Sequence, residues 1–254
     1  MGNDKQLWEK YGEDDPYYAV ASFDKFKSEN LDDRNLDDFF DTGRAYVEEV
    51  WSEIEKHFEP DFKPAKAIDF GCGVGRLTIP LSEKCGQITG VDISSTMVKE
   101  ARKNAESNNF ENVEFIQDAE GLANSNEIYD FVHSFIVIQH IEPKAGMKIF
   151  ERLVKKVKPG GIGALHVTYH NPNSMKSRIA VEVYKKVPLV YKIRNNIKND
   201  ENAKTLLPMH EYDLNRIFQI LQDNDCHECF TRFTFHGLHG ILILFKKSEN
   251  LFTK

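Results

Sequence analysis

The chain has 254 residues, of which 41% are hydrophobic and 29% charged, and a formal net charge of −7. That length and apolar fraction suit one α/β domain with elaborations, and the acidic balance argues against nucleic-acid binding through a basic surface. No apolar run approaches the ~20 residues that cross a bilayer. The start, Met1–Lys10, is too polar for a secretory leader, and four cysteines without framework spacing fit a reducing compartment, so a cytoplasmic protein is expected.

Residues 1–60 read as an N-terminal arm and helix. The first 35 are acidic around an aromatic knot of Tyr11, Tyr17 and Tyr18. A solvated arm fits them, and so does a lid that brings rings and hydroxyls over a site. Leu36, Phe39, Phe40, Tyr46, Val47, Val50, Trp51, Ile54 and Phe58 recur at helical spacing and predict an amphipathic helix over 36–58. Gly43-Arg44 is expected to interrupt it.

The core, residues 61–168, opens on an apolar run at 65–70 that carries Asp69. Gly71, Cys72, Gly73 and Gly75 then turn the chain into a helix from Thr78. A strand, a glycine turn and a helix start make a nucleotide-sized cradle. The dinucleotide fingerprint would place its third glycine at 76, where Arg76 stands. A second strand, 87–93, ends at Asp92, where a carboxylate can accept both hydroxyl protons of a ribose. Ser94-Ser95 cap a helix running to Asn108, and its Met97 can pack on an adenine ring. A third strand, 113–120, ends at Asp118. A fourth runs from Tyr129 through Phe135 and Ile136 to Gln139-His140. After a helix over 145–157, Lys158-Pro-Gly-Gly161 turns into a fifth strand, 163–168. Strands alternating with helices predict a doubly wound, mostly parallel sheet.

Residues 169–210 read as an insertion, helical over about 174–198 with a break at Pro188. Lys176, Arg178, Lys185, Lys186, Lys192, Arg194 and Lys198 stand there against one acid, Glu182. A solvated face, an anionic acceptor site and attachment to a membrane surface or partner are the three readings. Residues 211–254 give a helix, 211–224, and a terminal hairpin, 226–235 with 241–247. Cys226 and Cys229 with His236 and His239 lack zinc spacing, and residues i and i+3 of a strand point to opposite faces, so no metal is expected.

The order Asp69-x-Gly-x-Gly-x-Gly75 resembles motif I of the class I methyltransferases that use S-adenosylmethionine. Gly90-Val-Asp-Ile-Ser-x-x-Met-Val98 resembles the segment that follows it. The resemblance covers about residues 65–168. It implies a seven-stranded sheet finished by the antiparallel hairpin, S-adenosyl-L-methionine as cofactor and S-adenosyl-L-homocysteine as product. By it, Asp69, Gly71, Cys72, Gly73, Gly75, Asp92, Ile93 and Met97 bind the cofactor. Asp118, Ala119 and Glu120 join them at the adenine, Phe135 and Ile136 follow strand four, and Arg44 from the preceding helix meets the methionine carboxylate.

Transfer needs an in-line nucleophile with its proton removed, beyond the carboxyl ends of strands one, four and five. The acceptor-side candidates there are Arg76, His140, Tyr169 and His170, joined by His210 and the Tyr17-Tyr18 arm. A histidine near neutral pKa can take the proton. The adenine-N6 motif is replaced by Gln139-His-Ile-Glu142, and the strand-four region holds no cysteine for cytosine-C5 chemistry. A small molecule is therefore the expected acceptor, with no nucleic acid. A likeness to bacterial enzymes that decorate surface polysaccharides or secondary metabolites implies a sugar hydroxyl or a phosphoryl or phosphoramidate-type group. A nicotinamide-dependent oxidoreductase and a non-catalytic cofactor-binding regulatory domain stay open as alternatives.

Overall fold

The structure, a computed structural model, describes residues 2–118, 122–172 and 208–249. Residues 173–207, with the basic residues and the helix expected in the insertion, lie outside the described residues, and so do Ala119 and Glu120. The acidic arm folds as helices α1 (Gly2–Asp14) and α2 (Pro16–Val20). Glu9 ties it down: its carboxylate accepts from the Ser95 and Thr96 backbone N–H groups at 2.8 and 3.1 Å. Tyr17 is buried and donates toward Glu100 and Asn104 at 2.8 and 2.9 Å. The arm is thus a packed layer, not a solvated tail.

Helix α3 (Asp33–His57) begins at Asp32, whose side chain accepts from the Asn35 N–H at 2.8 Å. Phe39, Phe40, Val47, Val50, Trp51 and Ile54 form its buried stripe. The helix runs unbroken through Gly43, contrary to the expected interruption. A Cβ there would stand 2.1 Å from the Arg76 carbonyl oxygen, so glycine is required by close approach and not by a bend.

Seven strands follow: β1 (Lys66–Phe70), β2 (Gln87–Asp92), β3 (Val113–Gln117), β4 (Tyr129–Ser134), β5 (Val157–His170), β6 (Glu228–Phe235) and β7 (His239–Lys246). Helices α4 (Thr78–Ser82), α5 (Ser95–Ser107), α6 (Pro143–Lys156) and α7 (Leu214–Asp223) connect them among the described residues. The sheet order is β3-β2-β1-β4-β5-β7-β6, parallel through β5, with β7 antiparallel to both β5 and β6. This is the expected doubly wound, mostly parallel sheet with an antiparallel hairpin.

Two local readings change. Strand β4 stops at Ser134, and Ile138–His140 form a short 3-10 turn. Strand β5 starts at Val157, so the Lys158-Pro-Gly-Gly161 stretch is an irregularity between the Tyr129 and Phe131 pairings and not a preceding turn. Helices α6 and α7 cover one face through Ile149, Phe150, Leu153, Ile217 and Ile220. The other face packs on α3 through Val47, Val50, Trp51 and Ile54. Because the strand order reverses between β1 and β4, a crevice opens beyond their carboxyl ends.

Candidate active site

One cavity of about 910 Å³ fills that crevice, at the large end of the ~300–1,000 Å³ typical of small-molecule sites. Its floor is the glycine turn. The Gly71 and Cys72 N–H groups both donate to Val91 O, at 2.7 and 3.0 Å, which draws the turn over the end of β2. Gly71 has φ +80°, and a Cβ on it would lie 2.2 Å from Val137, so only glycine lets the turn pass this wall.

Asp92 ends β2 with each carboxylate oxygen oriented by the backbone. Oδ2 accepts from Gly73 N–H and Oδ1 from Ser94 N–H, both at 2.9 Å. Burial raises its pKa, while those amide bonds oppose the rise. Ile93, Met97, Asp118, Ile136 and Val137 line the same region.

Arg76 lines the cavity beside Asp69. Its Nη1 donates to Thr42 Oγ1 at 3.2 Å, and its buried Nε has no partner among the described residues. Burial lowers its pKa. A cation so poorly paired is a ready partner for a ligand anion.

Two aromatic clusters complete the wall. At one, Trp8 meets the His140 ring edge-on at 5.3 Å. His140 is buried, with its pKa pulled down to about 4 by burial, against the Nδ1 contact to Pro208 O at 2.9 Å. Its Nε2 lies 3.3 Å from Gln139 Nε2. At the other, Phe135 packs 4.2 Å from Tyr46, 5.0 Å from His166 and 5.6 Å from His236. His166 Nε2 lies 2.8 Å from Thr234 Oγ1, and Arg232 is held by Glu49 and Glu53 at 2.8 and 3.5 Å.

Of the expected residues, Asp69, Gly71, Cys72, Gly73, Arg76, Asp92, Ile93, Met97, Asp118, Phe135, Ile136 and His140 come together on the cavity wall. Others do not. Gly75 shapes the turn from behind, facing Ile79 and Phe115. Arg44 is exposed and bonds Asp41 at 2.7 Å, because it projects from α3 away from the face that carries Thr42 and Tyr46. Tyr17 points into α5, Tyr18 lies under Lys27, and Ala19–Phe23 line the cavity in their place. Tyr169 packs on Phe233 and His239. His170 is exposed, 4.0 Å from Glu211, and His210 donates its backbone N–H to Gln139 O without lining the cavity. Trp8, Tyr46, Glu49, Arg232 and Thr234 line it without having been singled out from the sequence, and so does His236, weighed there only as a metal ligand. Only the helical phase of Thr42, Tyr46 and Glu49 could have signalled any of them.

Residues 67–161 match the family described as Methyltransferase domain. The chain is similar to a ubiquinone biosynthesis O-methyltransferase of Bartonella tribocorum, 31% identical over 136 residues covering 51% of this chain and 53% of that one. It is also similar to a 23S rRNA (uracil(1939)-C(5))-methyltransferase of Alcanivorax borkumensis, 34% identical over 94 residues, 32% of this chain and 21% of that one. The chain thus spans from about a fifth to about half of these relatives' lengths. In fold it resembles magnesium protoporphyrin IX methyltransferase from Synechocystis PCC 6803 with bound SAH, at a TM-score of 0.60 and 18% identity over 96% of this chain and 100% of that one. Sheet order and glycine turn agree with the fold of that structure. Residues 67–161, which carry the glycine turn, Asp92 and Asp118, are thus similar to a methyltransferase domain, within a chain of the Rossmann-like fold.

Proposed function

We propose that the chain transfers the methyl group of S-adenosylmethionine to a hydroxyl oxygen of a small, ring-bearing molecule. The observation that carries this is the joining of two unlike regions in one cavity: a backbone-oriented Asp92 over a glycine turn, and the aromatic wall of Trp8, Phe135 and Phe235. The residues fit the donor. Asp92 keeps lone pairs for two ribose hydroxyls, and Ile93, Met97 and Val137 offer apolar surface to an adenine, with Asp118 at the edge. Arg76, whose Nε is otherwise orphaned, takes the methionine carboxylate in place of Arg44. When bound, the sulfonium supplies an already activated methyl, so the protein has to orient the acceptor and accept its proton.

The acceptor lies against the rings, where aromatic or sugar faces stack well. A free phosphoryl group suits this wall less, because Arg232 is already paired with Glu49 and Glu53. A pyrimidine carbon suits it less too. Such chemistry needs a thiolate to activate the ring, and of the four cysteines only Cys72 lines the cavity, with burial pushing its thiol pKa well up. His140 offers the acceptor only the surface of a neutral ring. Its Nδ1 donates to Pro208 O, and Gln139 covers Nε2.

The test is transfer of a labelled methyl to panels of phenols, sugars, phosphorylated metabolites and RNA. Methylation of a phenol or sugar hydroxyl is expected. Methylation of RNA or phosphoryl compounds alone would contradict the reading.

A further inference from the structure

A buried polar chain links two residues of the cavity wall, Asp69 and Tyr46, through His133. Thr78 Oγ1 donates to Asp69 Oδ2 at 2.6 Å, and Asp69 Oδ1 lies 2.8 Å from His133 Nδ1. His133 Nε2 lies 3.0 Å from the Tyr46 hydroxyl. His133 is fully buried, in a strand where its neighbours Phe131 and Val132 are apolar. Tyr46 lines the cavity, with its ring against Phe135. A buried imidazole in such a strand is costly unless both nitrogens are satisfied, and here both are.

The polarity of the chain follows from the donor inventory. An ionised carboxylate only accepts, so His133 carries its proton on Nδ1 and offers a lone pair at Nε2. The Tyr46 hydroxyl must then donate inward. Its oxygen lone pairs remain for a group in the cavity. Asp69, Glu49, Arg76 and Arg232 are the charged groups acting on this phenol. Burial, the largest influence, raises its pKa well above the usual tyrosine value, so the phenol holds its proton until another replaces it.

The geometry points to Tyr46, His133 and Asp69 as a proton relay that deprotonates the acceptor's hydroxyl, an inference that rests on the O-methyl transfer reading above. The acceptor's O–H bond breaks and its proton passes to Tyr46 Oη. The proton of Tyr46 moves in the same event to His133 Nε2, leaving an imidazolium beside the Asp69 carboxylate. The electron pair left on the acceptor oxygen forms the new bond to the methyl carbon. The carbon–sulfur bond breaks with its pair on sulfur, and the sulfonium becomes a neutral thioether. Tyr46 is the catalytic residue of this relay. His133 and Asp69 act through it, as proton store and positioning group. His140, with both nitrogens engaged, is less suited to the task.

A coloured phenol tests the relay without knowledge of the natural acceptor. 4-Nitrophenol is titrated into the protein bound to sinefungin, which carries an ammonium where the donor carries its sulfonium methyl, below the pH at which the free phenol ionises. Sinefungin affinity and melting temperature are measured on the same samples. The bound probe is expected to show the yellow phenolate band. Tyr46→Phe and His133→Gln should each lower the phenolate-to-phenol ratio by about tenfold, one pKa unit. Sinefungin affinity should stay within about twofold in both. Glutamine keeps a group that can hold the Tyr46 hydroxyl but cannot store its proton, so a merely structural His133 would leave the band intact. If His133→Gln fails to fold, Tyr46→Phe, which removes one oxygen, decides alone. A wild-type complex that binds sinefungin but shows no phenolate band overturns the relay, as does a band kept in the variants. Failure of the wild type to bind sinefungin overturns the donor reading, and the relay with it.

Discussion

Arg76 and Arg44 differ by what lies around them. Arg76 follows the glycine turn and sits under α3, where Gly43 lets the two backbones touch, so its guanidinium is held at the cavity with an unmatched Nε. Arg44 is on the outer side of the same helix, salt-bridged to Asp41. A ligand carboxylate on Arg76 is a charge-assisted pair, worth about 1.5–3 kcal/mol. Arg76→Ala should therefore weaken S-adenosylhomocysteine binding by roughly 10- to 100-fold. Arg44→Ala should leave it unchanged, and isothermal calorimetry on the two variants checks both. The sequence offered two arginines near a glycine turn. Which of them faces the ligand depends on helix phase: Thr42, Tyr46 and Glu49 share one face, and Arg44 stands about 200° round from Thr42.

At the scale of elements, the arm is held by a carboxylate on a helix start. Glu9 accepts backbone and hydroxyl bonds from Ser95 and Thr96, at the first turn of α5. Burial acts to raise its pKa, yet these bonds outweigh it and lower the carboxyl from 4.5 to about 2. The sign follows. A depressed carboxyl contributes stability above its ordinary pKa of about 4.5, and that contribution is lost as the pH falls toward about 2. Glu9→Gln should loosen α1, seen as faster amide exchange in residues 5–14, and should weaken ligand binding severalfold because Trp8 lines the cavity.

The core elements were legible because each strand, turn and capped helix is written in consecutive residues, from Asp69 through Asp92 to Asp118. The far wall was not. Tyr46 and His133 are 87 residues apart, and β6 reaches the cavity only through its pairing with β7. His133 reads in sequence as one polar residue in an apolar run. The arm gave no more than a choice between tail and lid, because its fixed point, Glu9 on α5, is a long-range contact.

The whole molecule carries buried neutral histidines across its β4–β5–β6 side. Burial lowers His140 to about 4 and His166 to about 3, each from an ordinary 6.5. The unfolded chain binds these protons at higher pH than the folded one. Stability should therefore be full above about pH 6.5 and fall as the pH drops toward 4 and then 3. Melting temperatures followed downward from neutral pH should decline through this window, and His166→Asn should flatten the decline.

The same sheet sets the glycine turn and Asp92 at the ends of β1 and β2 and Phe135 and Phe235 at the ends of β4 and β6, all on one cavity. Calorimetric titration of S-adenosylhomocysteine and of NADH into the wild type and Asp92→Asn tests that account most directly. Binding of S-adenosylhomocysteine by the wild type, weakened at least about tenfold in the variant, with no binding of NADH, is the predicted result. NADH binding without S-adenosylhomocysteine binding, or S-adenosylhomocysteine binding indifferent to Asp92, would contradict it.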